Sequence, residues 1–392
     1  MRIGVCLLGI NREMGGNFQY AISLLEDLVD VVSSQDVVVF VDNQVMEESA
    51  RAVARSATII ELALEPRNIL VTLARFVYSR FRFRWLRPWI SGRFTALDQE
   101  GCDVILHPFW SFASILTDTP AVASIHDVAP RENPELMPRR KRLSLDWLIQ
   151  GIIRHAKVIL VDSPYGKALL DIHYSAELSK VTVYRFSVPR YLLVGGRSET
   201  DDVLSKYQTS AGYLFLPGRF GSYRNTHRVL DAVAEARRNG TDARLLLCGV
   251  RPEEMQAAQE AVATRRLEGA VLVLGYVPDA DMASLYRGAA ALLFPILLGP
   301  TSIPIYEAMA LDCPVIYPTI SGYTTAFGDA GLGVDPLDTS AITDAIIKIC
   351  NEADLRSVYI RRGREFIAAS AVGRGSILLQ CIAQASATLT LS

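Results

Sequence analysis

The chain predicts an α/β protein built from two doubly wound, parallel-sheet domains facing each other across a cleft. Three observations carry that prediction. At 392 residues the chain is too long for one ordinary domain, and two of about 150–200 residues are the default. Short continuous apolar runs alternate with helical segments throughout, as strands covered by helices on both faces require. Between the two series lies 187–205, where SVPRYLLVGGRSETDD joins Pro, a Gly pair and an acidic run.

In the first series the strands are Arg2–Leu8, Val37–Val41, Ala57–Ile60, Val104–His107, Ala121–Ile125, Val158–Val161 and Val181–Tyr184. The second runs Tyr213–Leu216, Arg244–Leu247, Val271–Leu274, Ala291–Phe294, Val315–Tyr317 and Gly333–Val334. Apolar periodicity near 3.6 predicts helices at Phe18–Val32, Thr226–Arg238, Pro252–Arg265, Ala280–Gly288 and Thr339–Asn351. The domains then cover 1–190 and 200–370. In open α/β sheets ligands collect at the carboxyl ends of strands, so functional residues are sought there.

Composition narrows the function. Half the residues are hydrophobic and the formal net charge is −2, which gives no case for nucleic acid. Six cysteines stand singly, without CxxC or metal-ligand spacing, as buried thiols in a reducing cytosol do. No signal-peptide pattern follows Met1–Leu8, and no window reaches about 18 uninterrupted apolar residues. The expectation is a soluble or peripheral cytoplasmic protein.

Gly15-Gly16-Asn17-Phe18 opens the helix after the first strand; a Gly pair there permits positive φ and close ligand approach. It is equally compatible with any tight strand-to-helix turn. It lacks the GxGxxG spacing of a dinucleotide site. His126 and Asp127 directly follow the strand AVASI. Two readings stand: His126 meets a reacting sugar, or the pair caps a helix with Asp127 as N-cap. His107, ending an earlier strand, is a weaker candidate on the same side, grouped with Asp127 as possible acceptor-side residues. The segment 75–93 interleaves Arg with Phe, Tyr, Trp85 and Trp89, and Arg139 to Arg142 add a basic cluster. It is either a solvated face whose Arg stems cover apolar surface or an interfacial patch for anionic lipid.

In the second series, Arg219 lies just past a strand and Arg224 five residues on, placed to clamp a diphosphate or to serve as ordinary loop cations. Tyr276 and Val277 follow a Gly. Asp279-Ala280-Asp281 superficially resembles a DxD metal site, but its place after Pro278 and before a helix favours N-capping and dipole compensation. No metal or other cofactor is expected. The most informative stretch is LLGPTSIPIYEAMALDCPVI, 297–316. Gly299, Pro300, Thr301 and Ser302 make a turn into a helix in whose first turn Pro304 costs no hydrogen bond, and that turn presents free backbone N–H groups to phosphate. Glu307, one turn in, is placed to accept hydrogen bonds from sugar hydroxyls. Phosphate beside a sugar reads as a nucleotide.

These motifs together resemble retaining GT-B glycosyltransferases of family 4, the glycosyl transferases group 1. Glu307-Ala308-Met309-Ala310 and Pro314-Val315-Ile316 match the family's Glu-x7-Glu segment and following strand, but Gly299 stands where the first Glu is usual. Gly299 to Pro304, Gly-Pro-Thr-x-Ile-Pro, looks like a sub-branch in which backbone amides replace that carboxylate. Gly218-Arg219 fits the family motif, with Arg224 where Lys is usual, and Gly275 to Pro295 matches closely. The resemblance implies two Rossmann-like domains: an acceptor side at the amino end and a nucleotide-sugar donor side after it. It also implies a final helix, 373–390, that packs back onto the first domain.

By the same resemblance, Gly15 and Gly16 approach the diphosphate and His126 lies against the donor sugar. Tyr276 and Val277 lie against the base, Glu307 grips the ribose, and Arg219, Arg224 and the amides near 301–303 stabilise the leaving diphosphate. The implied reaction moves a hexose, with retention, from a UDP- or GDP-sugar to a glycan or lipid-linked glycan acceptor. Two alternatives stay open: an NDP-sugar epimerase of the same architecture, and a non-catalytic member that binds nucleotide sugar.

Overall fold

The structure is a computed structural model that describes residues 1–62, 74, 77–78, 92–193, 197–221, 224–297, 303–320 and 322–387. Gly299, Pro300, Thr301 and Ser302 lie outside the described residues, as do Trp85, Trp89 and most of 75–93.

The chain divides into two compact units. The first comprises Met1–Pro189 with Gly373–Ser392, and the second Arg190–Val372. Unit one holds seven strands: β1 Ile3–Cys6, β2 Val37–Val41, β3 Thr58–Glu61, β4 Val104–His107, β5 Ala121–Ser124, β6 Val158–Val161 and β7 Val181–Val183. Their order is β3-β2-β1-β4-β5-β6-β7, with every pairing parallel. The strand VVVFV of β2 is buried at all five positions, which is why it reads as an unbroken apolar run rather than an alternating one. Edge strand β3, TIIE, is only partly covered.

Unit two holds six parallel strands: β8 Tyr213–Pro217, β9 Leu245–Cys248, β10 Val271–Val273, β11 Ala289–Leu293, β12 Val315–Pro318 and β13 Leu332–Val334. Their order is β10-β9-β8-β11-β12-β13. All thirteen expected strands are present. The helices Thr226–Arg238 and Thr339–Asn351 begin and end at the expected residues.

Each sheet has one place where the chain order reverses: between β1 and β4, and between β8 and β11. Loops leaving neighbouring strands part in opposite directions there and open a crevice at the strands' carboxyl ends. Gly15 follows β1, His107 ends β4 and Arg219 and Arg224 follow β8, while His126 lies past β5.

The helix Arg374–Ser386 packs against Gly16–Val31 in unit one. Its buried Leu378, Cys381, Ile382 and Ala385 form the apolar face. Arg374, 6% exposed, pairs with Asp27 and lies 4.4 Å over the Tyr184 ring, while the Tyr184 hydroxyl donates to Asp27 at 2.7 Å. The run Ala353–Ser386 is apolar enough in composition to cross a membrane. It is, however, two helices broken at Gly373 (φ +75°), and the second is a core helix of unit one.

Candidate active site

In unit one the turn after β1 ends in Gly15, at φ +54° and ψ −114°, a conformation that only glycine adopts without strain. Helix Gly16–Val31 starts immediately after it, so Gly16 is already helical. Among the described residues no side chain caps this helix, and nothing beyond the adjoining backbone lies within 4 Å of where a Cβ on Gly15 would stand.

His126 emerges just past β5. Its Nδ1 faces Asp162 Oδ2 at 3.0 Å, and its Nε2 faces the Pro108 carbonyl oxygen at 2.8 Å. Tyr20 meets the ring edge-on, with centroids 4.4 Å apart. Both partners offer acceptor oxygens, an arrangement that favours a hydrogen on each ring nitrogen. Burial opposes the resulting charge, but the Asp162 carboxylate and the hydrogen bonds to Asp162 and Pro108 outweigh it, and the His126 pKa is raised. Two acceptors thus hold the His126 ring and favour its protonated form. Asp127 accepts from the Ala129 N–H at 3.0 Å, an Asx-type turn leading into the short helix Ala129–Glu132, and burial raises its pKa.

His107 ends β4 and is 1% exposed, with no hydrogen-bond partner on either ring nitrogen among the described residues. Burial pushes its pKa down to about 3, so it is a neutral core imidazole. Trp110 Nε1 and Ser111 Oγ, in the loop that follows, are likewise buried without a partner among the described residues.

In unit two, Gly218 follows β8 at φ +121°. A Cβ there would meet Arg224 Nε at 3.0 Å, so glycine lets the guanidinium lie on the strand end. Gly249, after β9, packs on Gly218 with 3.4 Å between its would-be Cβ and the Gly218 backbone. The Arg224 guanidinium also lies 5.1 Å over the ring of Phe294, just past β11. Arg224 therefore stands over the β8/β11 switch. Arg219 turns to Glu254, with Nε 2.9 Å and Nη2 2.7 Å from Oε1. Glu254 also accepts from the backbone N–H groups of Phe220 and Arg251, which binds the β8 loop to the start of helix Pro252–Thr264.

Glu307, 3% exposed, lies in helix Ile303–Ala310, whose first residue Ile303 is also buried. Its Oε2 accepts from the Tyr286 hydroxyl at 2.6 Å. Burial and the Glu307 charge hold the Tyr286 pKa well above its ordinary value, so the phenol stays a donor. Burial first, and Glu307 second, push the Cys248 thiol up to about 12, so the Glu307 charge is felt at the end of β9. Tyr276 is 68% exposed beside buried Val277.

Asp279 and Asp281 do not cap their helix. Pro278 occupies the N-cap position with no side-chain bond, and Asp281 accepts from Lys206 at 2.6 Å and Tyr207 at 2.7 Å. Both acids still lie in the positive first turn of Asp279–Gly288. Sequence reasoning missed Asp162, Tyr286, Glu254 and Asn225.

Residues 198–366, wholly within unit two, match the family described as Glycosyl transferases group 1. The fold is GT-B. Over all of both chains the structure is similar to Anabaena HepE in complex with UDP and glucose, at TM-score 0.73 and 15% identity. It is equally similar to sucrose-phosphate synthase from Thermosynechococcus elongatus, at TM-score 0.73 and 18% identity over all of both chains. In sequence it is 27% identical to O-antigen chain mannosyltransferase B of Escherichia coli, over 62% of this chain and 64% of that one. It is 26% identical to phosphatidyl-myo-inositol mannosyltransferase of Mycobacterium leprae, over 74% of this chain and 72% of that one. The match thus spans less than two thirds of the length of the Escherichia coli relative. The family match and the mannosyltransferase relatives support a transferase enzyme.

Proposed function

We propose that the protein is a retaining glycosyltransferase that moves a hexose from a nucleoside diphosphate sugar to a hydroxyl of a glycan or lipid-linked glycan. The observation that carries the reading is Arg224 over the β8/β11 switch, with Glu307 and Tyr286 in the elements flanking β11, all inside the stretch matched to the family. Mannose is the first sugar to test, because both relatives described above are mannosyltransferases. UDP and GDP are the nucleotides to compare.

In this reading unit two holds the donor. Arg224 and Arg219 neutralise charge growing on the leaving diphosphate, an effect worth about 3–4 kcal/mol per well-placed donor. Glu307 grips the ribose, Tyr276 and Val277 border the base, and the amides near 301–303 serve the phosphates. No metal is required. In this reading unit one binds the acceptor, with the Gly15-Gly16 turn and His126 as its candidate residues. With no second carboxylate assigned as nucleophile, the leaving phosphate takes the acceptor proton as the new glycosidic bond forms on the same face.

The acceptor side is proposed to work at the cytoplasmic face of an anionic membrane. Arg139, Arg140 and Lys141 are exposed at the start of helix Arg139–His155, where their charge opposes the helix dipole, and Leu143 beside them is 55% exposed.

A thermal-shift screen against UDP, GDP, ADP and their sugar conjugates tests the donor reading, since a ligand of the folded state raises its stability. A shift with one diphosphate that is lost in Glu307→Ala supports it. No shift with any of them contradicts it.

A further inference from the structure

Asn225 follows Arg224 directly and begins no cap of its own. Its side chain caps none of the backbone N–H groups in the first turn of helix Thr226–Arg238, although it occupies the N-cap position. The residue is 4% exposed and sits in the left-handed region, φ +59° and ψ +26°. Asn tolerates that backbone better than most non-glycine residues.

The amide is spent on distant chain instead. Nδ2 donates to the Pro295 carbonyl at 2.9 Å and to the Pro336 carbonyl at 2.6 Å. Oδ1 accepts from Arg228 Nη1 at 2.6 Å. The chemistry fixes this orientation: two carbonyls need the amide's N–H pair and a guanidinium needs its oxygen. One buried side chain therefore ties together the turns after β8, β11 and β13. Thr226 closes the same β8 turn locally, its hydroxyl lying 3.3 Å from both Gly221 N and Gly221 O.

We propose that Asn225 is the positioning residue of the diphosphate site. It holds Arg224, one peptide away, over Gly218 and Phe294, and it fixes Pro295 at the start of the segment that leads to Ile303 and Glu307. This rests on reading unit two as the nucleotide holder. Asn225 itself touches no substrate; it acts by setting where a guanidinium and a backbone turn stand. Only a side chain that accepts positive φ and offers two donors and one acceptor does all three tasks.

Two variants separate positioning from bulk stability. Asn225→Asp keeps the acceptor for Arg228 but cannot donate to either carbonyl. Asn225→Gly keeps the backbone conformation and loses all three bonds. Each is measured for the Kd of UDP and GDP by calorimetry, alone and with Arg224→Ala, beside its melting temperature. The expected result is a loss of affinity of about tenfold or more in each single variant, for whichever nucleotide the parent binds. Adding either to Arg224→Ala costs less than about twofold further, because residues acting as one unit are not additive. Parent-like affinity in both single variants overturns the proposal, as do losses that multiply in the double variants. Should one variant not fold, the other decides. If the parent binds neither nucleotide, the donor reading itself fails, a result distinct from parent binding that the variants leave intact.

Discussion

Tyr286 donates its phenolic hydrogen to Glu307 across 2.6 Å, joining helix Asp279–Gly288 to helix Ile303–Ala310 inside a buried environment. A buried carboxylate without such a donor is costly, so this bond fixes both the charge and the aim of Glu307. Tyr286→Phe is expected to destabilise unit two by about 1–3 kcal/mol. It should also weaken nucleoside diphosphate binding. Glu307→Ala removes the same bond from the buried Tyr286 hydroxyl, so it should cost a similar amount, about 1–3 kcal/mol, and weaken that binding further. Calorimetric titration beside urea denaturation checks both; unchanged affinity in Glu307→Ala would sink the ribose assignment.

The two buried histidines of unit one give opposite pH limbs. The raised pKa of His126 means its stabilisation is fully present below the unfolded value of about 6.5 and is lost as pH rises through the folded value. His107 has a folded pKa of about 3, so its limb runs the other way. Stability should fall by up to about 1.4 kcal/mol per pH unit as pH drops below about 6.5. Urea unfolding over about two pH units on either side of about 6.5 should show His107→Leu flattening the acid limb. His126→Gln should flatten the alkaline one. Limbs that persist in both variants contradict the assignment.

The returning helix is pinned by a buried charge. Asp27→Asn leaves Arg374 unpaired in the interior and is expected to cost about 3–5 kcal/mol. A double variant with Arg374→Met removes both charges and should recover much of that loss. Equal stability of the single and double variants would show that the pair carries no such weight.

The basic start of helix Arg139–His155 makes a further, separable prediction. Replacing Arg139, Arg140 and Lys141 by Ser should reduce flotation with anionic vesicles, at about 1 kcal/mol per charge removed, and leave neutral vesicles unaffected. If the parent protein does not float with anionic vesicles, the membrane reading fails.

The sheets were legible because strands buried on both faces must be continuously apolar, and Gly, Pro and polar clusters punctuate them. Val37–Val41 and Val158–Val161 show that pattern without interruption. Arg224 and Glu307 were legible because chemistry in such folds gathers past strand ends. What stayed hidden is partnership across distance. Asp162 lies 36 residues from His126, and only the pairing of β5 with β6 brings their ends together. The cue existed: both residues follow consecutive strands, which are usually neighbours. Tyr286 and Asn225 gave no such cue, since a Tyr in an amphipathic helix and an Asn in a turn have ordinary local uses. The N-cap reading of Asp281 failed for the same reason, its acceptors taken by Lys206, which ends helix Arg197–Lys206, and by Tyr207 in the turn after it.

The most direct test of the central claim is release of nucleoside diphosphate from UDP- and GDP-hexoses, with and without a lipid-linked glycan acceptor, followed by NMR of the product's anomeric carbon. The account predicts release that the acceptor accelerates, with the donor's anomeric configuration kept in the product. Inverted product, free epimerised sugar nucleotide, or binding without any release would contradict it.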